Sequence, residues 1–154
     1  MDIHTVQSDT FSVEDVVKEL SDSDWRKPVI GDRRTVGVVV HHVASTYPLK
    51  IELAQVLASG KPITEATTNT VDQMNAAHAQ QFANIEKREA LELLVSNSRT
   101  AAEKVREFTD DHLDNSGTVS LNENAPLTAQ FFIEDHALRH SYHHLARIQY
   151  TLEK

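Results

Sequence analysis

The sequence predicts an all-α protein, a four-helix bundle with a long crossing connection between helices two and three. Three observations carry that prediction. Apolar residues recur every three or four positions along most of the chain, the spacing that gathers them on one face of an α-helix. Only four glycines and four prolines interrupt 154 residues, too few for a fold of many short strands and turns. No internal repeat or sustained heptad is present. The helices are therefore expected to pack as one bundle domain over residues 1–154 rather than as a solenoid or coiled coil.

Helix one is expected over residues 12–22. Ser12 can cap it, Glu14 and Asp15 suit its positive end, and Val13, Val16, Val17 and Leu20 form its apolar stripe. The segment SDSDWRKPVIGDRR reads as a loop in which Trp25 covers the core. Thr35 can cap helix two over residues 36–47; Pro48 kinks or restarts it, and residues 49–57 continue it to Gly60 and Pro62. The valines of TVGVVV favour strands, so pattern and propensity disagree there. Thr70 and Asp72 open a third helical region through Asn75 to Phe82. A longer helix follows over residues 87–113, with Leu91, Leu94, Val95, Ala101, Val105 and Phe108 at helical spacing. TVSLNENAP reads as a loop, and Thr128 caps a last helix that runs to Leu152.

Composition narrows the function. The formal net charge is −8, which disfavours a nucleic-acid partner, since phosphate contacts need clustered Lys and Arg. The chain has no cysteine, so disulfides, thiolate catalysis and cysteine zinc sites are excluded, and any metal site must use His and carboxylates. The start, MDIHTVQSDTF, lacks the pattern of a signal peptide, and TVGVVV is too short to span a bilayer. A cytoplasmic protein without a membrane partner is the expectation.

Histidine is the anomaly. There are nine, and His136, His140, His143 and His144 crowd the last helix. Four residues advance a helix by about 40° beyond a full turn, so His140 and His144 project from adjacent turns of one face. Two imidazoles at that spacing can share a cation. A uniform helical wheel puts Leu127, Phe131, Leu138, Leu145 and Ile148 at the apolar centre, with His144 at its edge. An imidazole turned into a core is costly unless it is bonded. His41 and His42 on helix two offer a third ligand, and about 100° separates them, so one of the two faces inward. Three histidines leave a coordination position open for water or substrate. His41, His136 and His143 stand in reserve. His4 reads as exposed, His112 as a helix-end charge suited to a C-terminal dipole, and His78 as undecided. Glu134 and Asp135 read as solvated surface charges.

The stretches T-V-G-V-V-V-H-H-V-A-S, V-D-Q-M-N-A-A-H-A and H-S-Y-H-H-L-A-R-I, in that order, resemble the DinB-like superfamily of metal-binding four-helix bundles. The resemblance implies a helix-two ligand followed by an aliphatic and a small residue, which His42-Val43-Ala44 fits, so it favours His42 over His41. It implies the pattern H-x-x-H-H-x-x-x-I, with the other ligands at His140 and His144. Many members carry Arg-Gly-Gln after the last ligand, where this chain has Leu145, Ala146 and Arg147. The resemblance implies a divalent metal, Zn²⁺ or Ni²⁺, and a homodimer. It further implies a small-molecule substrate handled by metal-dependent hydrolysis or by transfer involving a low-molecular-weight thiol such as mycothiol or bacillithiol. The competing readings are a non-catalytic metal-binding or stress-associated bundle, and a bundle whose histidines are only a pH-sensitive feature.

Overall fold

The computed structural model describes residues 13–154; the expected cap Ser12, and His4, lie outside the described residues. Helix α1 covers residues 13–19, and Val13, Val17 and Leu20 are its buried stripe. It ends earlier than expected because Ser21 starts a new helix. The Ser21 hydroxyl accepts from Asp24 N–H at 3.0 Å and the Asp24 carboxylate accepts from Ser21 N–H at 3.3 Å. This reciprocal cap opens α2 (Asp22–Trp25) within the expected loop.

Helix α3 (Val36–Ala58) is capped by Thr35, whose hydroxyl accepts from Val38 N–H. Val36, Val38, Val39, Val40 and Val43 are all buried. Burial on several sides outweighs the strand propensity of these β-branched residues. The helix passes through Pro48 as one element. Proline has no N–H to give to the carbonyl four residues back, and that carbonyl, on Ala44, instead accepts from Asn97 Nδ2 at 2.9 Å.

The connection from α3 to α5 holds α4 (Thr68–Gln81), capped by Thr67 and Thr70 acting reciprocally, with no fully buried residue. Helix α5 (Lys87–Arg106) lies along α3 as its most extensive partner. The expected helix over 87–113 divides at Thr109. Its hydroxyl caps α6 (Asp110–Asp114), and His112 Nδ1 accepts from Thr109 N–H at 3.3 Å. His112 therefore helps to close the N-terminal end of α6 rather than serving a C-terminal dipole.

TVSLNENAP is not a plain loop. Strands β1 (Ser116–Val119) and β2 (Ala125–Thr128) pair antiparallel, from Ser116 opposite Thr128 to Val119 opposite Ala125. A 3-10 turn (Ser120–Asn122) and the left-handed pair Glu123 (φ 57) and Asn124 (φ 59) join them. Ile63 clamps the hairpin by donating to Thr118 O and accepting from Ser120 N–H, both at 2.9 Å. A β-carbon on Gly117 would meet Lys61 O at 2.3 Å, so only glycine fits there.

The last helix begins at α7 (Ala129–Phe132), capped by Thr128 as expected. It then widens into a π-helical segment (Ile133–Arg139) before α8 (His140–Leu152). That widening breaks the uniform wheel. Phe131 is 46% exposed, while Phe132, Ile133 and Ala137 are buried with Leu145 and Ile148. With α1, α3, α5 and the α7–α8 run as its four helices, the architecture is the expected four-helix bundle, and α4 lies in the crossing connection. Among the described residues no helix is long and apolar enough to cross a membrane.

Candidate metal centre

Helix α3 and the last helix meet where His42 faces His140 and His144. The Nε2 atoms of His42 and His140 are 3.2 Å apart, and those of His144 and His140 are 3.1 Å apart. The rings meet edge to face, with interplanar angles of 63°, 81° and 85° for the three pairs. His42 and His144 are buried and His140 is half-buried. A neutral imidazole nitrogen carries either one proton or one lone pair. His140 Nε2 thus makes one good hydrogen bond, yet it faces two nitrogens. A single cation satisfies all three lone pairs at once. A tetrahedral ion with nitrogen ligands at about 2.0–2.1 Å sets them about 3.3 Å apart, close to the observed spacing. Among the described residues, this is the group of His and carboxylate side chains able to hold a metal ion.

The electrostatics keep these rings unprotonated. Burial, with Arg34 as the next cause, pushes His42 down to about 3 and His144 down to about 4. Burial and Lys50 push His140 lower still. Lys50, from two turns further along α3, places Nζ 2.6 Å from His140 Nδ1. Burial lowers the lysine to about 7. If His140 gives Nε2 to a metal, its Nδ1 carries the proton and donates to a neutral Lys50 amine. The corresponding Nδ1 of His144 is buried and has no partner among the described residues.

The other histidines separate cleanly. His41 turns away from the three and pairs its Nδ1 with His78 Nε2 at 2.8 Å; it also stacks on Phe82 at 4.0 Å. His78, brought in by α4, meets the edge of the His42 ring with centroids 5.6 Å apart. His136 lies in the π segment, stacks on Phe132 at 4.4 Å and faces Asp135 at 3.7 Å. His143 is exposed. Glu134 accepts from Gln130, and Asp135 pairs with Arg139 at 3.3 Å, so neither acid supports the three rings. Trp25 is buried against the core, with Nε1 donating to Ile85 O at 2.9 Å.

Sequence reasoning missed Lys50, Arg34 and the role of His78. A lysine between Leu49 and Ile51 was the one available signal for the first. Nothing local marks Arg34, which follows another arginine in a loop.

The family described as the DinB superfamily matches residues 11–148. Among solved structures the chain is similar to YfiT from Bacillus subtilis, with 18% identity and a TM-score of 0.76. The match covers 97% of this chain and 82% of that one. YfiT is described as a probable metal-dependent hydrolase with an unusual four-helix bundle topology. At that identity the likeness speaks for the fold. No curated protein matches the chain.

Proposed function

This chain belongs to the DinB superfamily, and from that premise we infer that it is a divalent-metal-dependent enzyme acting on a small molecule. His42, His140 and His144 are the proposed ligands, and Zn²⁺ or Ni²⁺ is the proposed ion. The observation that carries this reading is the facing of three Nε2 atoms across 3.1–3.2 Å contacts to His140. The group contains no fourth His or carboxylate among the described residues, which suits a catalytic site with an open position better than a closed structural one.

A bound divalent cation supplies Lewis acidity, lowering the pKa of a coordinated water or thiol and polarising an electrophile. The chain's own residues hold three neutral imidazoles in fixed orientation. Lys50 sets the tautomer of His140, and α4 brings His78 to the edge of the His42 ring. Hydrolysis is the preferred reaction, in line with the description of YfiT. Transfer of a low-molecular-weight thiol is the second chemistry that the same open position supports.

The test is Co²⁺-substituted protein exposed to azide and to mercaptoethanol, followed by hydrolase and thiol-transferase assays. A shifted visible spectrum with both probes, and a turnover lost in His140→Ala, are expected. An unchanged spectrum marks a closed structural site and overturns the enzyme reading.

A further inference from the structure

Two residues of α3 grip the last helix next to the proposed ligands. Lys50 meets the ring of His140. Three residues earlier, on the same side of α3, Tyr47 meets the residue that follows His140: its hydroxyl lies 3.0 Å from Ser141 Oγ. Tyr47 is 4% exposed and Ser141 2%. The bond is therefore shielded from water, where losing one partner is most costly.

Its direction is fixed. Ser141 Oγ gives its single proton to Ala137 O at 2.9 Å, so Tyr47 is the donor to Ser141. The bonds form a chain from α3 through Ser141 to Ala137. Ala137 belongs to the π-helical segment, and Ser141 is the second residue of α8. The chain thus spans the junction at which His140 stands.

That junction needs holding. Hydrogen bonds in a π-helix span five residues instead of four, and the geometry is rare. Closing the segment to α geometry would slip one flank by one residue against the other, a turn of about 100°. Such a turn would carry His140 and His144 together out of line with His42. Back-bonding of a serine to the carbonyl four residues earlier accompanies helix distortion, and here a donor from α3 secures that serine.

The far end of α8 repeats the device. Buried Thr151 donates Oγ1–H to Arg147 O at 2.8 Å and accepts from Ile30 N–H at 3.0 Å. His144 therefore stands between two buried hydroxyls. Each bonds a carbonyl of its own helix and a donor from outside it. Ser141 is the one in the ligands' own turn.

We propose that Tyr47 is a positioning residue of the metal centre. Through Ser141 it pins the π-to-α junction and so fixes the rotation at which His140 and His144 face His42. Lys50 orients the His140 ring, and Tyr47 holds the backbone that carries it. The proposal rests on the metal-enzyme reading above.

The test is Co²⁺ binding to the full chain, read by competition with a chelator and by the visible bands of the bound cobalt. Tyr47→Phe keeps the ring in the core and deletes one hydroxyl. It should weaken cobalt binding about ten-fold, as loss of a group that orients a ligand does, and should shift the bands. Ser141→Ala should do the same. The double variant should bind no more weakly than Ser141→Ala alone, because without that serine the tyrosine has lost its hold on the last helix. Should Ser141→Ala not fold, Ser141→Cys, a much weaker hydrogen-bonding group, takes its place in the cycle. Asn97→Leu, which removes a buried bond away from the three histidines, should lower stability and leave cobalt affinity and bands at their wild-type values. Wild-type affinity and bands in Tyr47→Phe, losses that add in the double variant, or an equal loss in Asn97→Leu overturn the positioning role and leave the metal reading standing. Failure of wild type to take up cobalt overturns both.

Discussion

Lys50 Nζ lies 2.6 Å from His140 Nδ1, a lysine where metal-bound histidines more often meet a carboxylate or a carbonyl. With Nε2 turned to a metal, His140 needs an acceptor at Nδ1. Lys50→Leu removes it and should weaken metal binding about ten-fold, whereas Lys50→Gln keeps an acceptor oxygen and should stay near wild type. Competition with a chromophoric chelator measures both. Tighter binding in Lys50→Leu would show that the lysine acts as an obstructing cation.

Asn97 replaces the hydrogen bond that Pro48 removes from α3. Asn97→Leu leaves the carbonyl of fully buried Ala44 unpaired and should destabilise the protein by about 1–3 kcal/mol in urea. In a Pro48→Ala background the helix regains its own donor, so the same substitution should cost much less. Equal costs in both backgrounds would show that the two residues are not coupled.

Gly37 makes room for the single tryptophan. A β-carbon there would lie 2.5 Å from Trp25 Cε2. Gly37→Ala should therefore cost about 1–3 kcal/mol through overpacking, less whatever helix propensity returns. It should also shift the Trp25 emission, since Nε1 is held by Ile85 O. An unshifted spectrum at full stability contradicts the packing.

Metal-free protein should lose stability as acid is added, with a definite sign. The folded pKa values of His78 and His144 are pushed by burial from 6.5 to about 4. Below pH 6.5 the unfolded chain takes up protons that the folded chain refuses, so stability is full above 6.5 and is lost as pH falls toward 4. The melting temperature should fall through that window, and His78→Phe should flatten the fall. A level profile would refute the burial of these rings.

The bundle, the caps at Thr35 and Thr128, and the i, i+4 pair on the last helix were legible because each depends on local spacing. The hairpin was not. Its strands are four residues long and gain their order from Ile63, a partner more than fifty residues away. The π-helical segment was invisible to a wheel that assumes one constant angle, which is why Phe131 was expected inside and stands exposed. Composition left His41 and His42 equal; it is the neighbours, His78 on one side and His140 with His144 on the other, that distinguish them. Arg34 matters only through its tertiary position, which no motif records.

Metal content per chain, measured on untagged protein by elemental analysis for wild type and six single variants, tests the central claim most directly. Close to one divalent ion is expected in wild type, His41→Ala, His136→Ala and His143→Ala. It should be lost in His42→Ala, His140→Ala and His144→Ala. Full metal content in any of the last three, or none in wild type, contradicts the three-histidine centre.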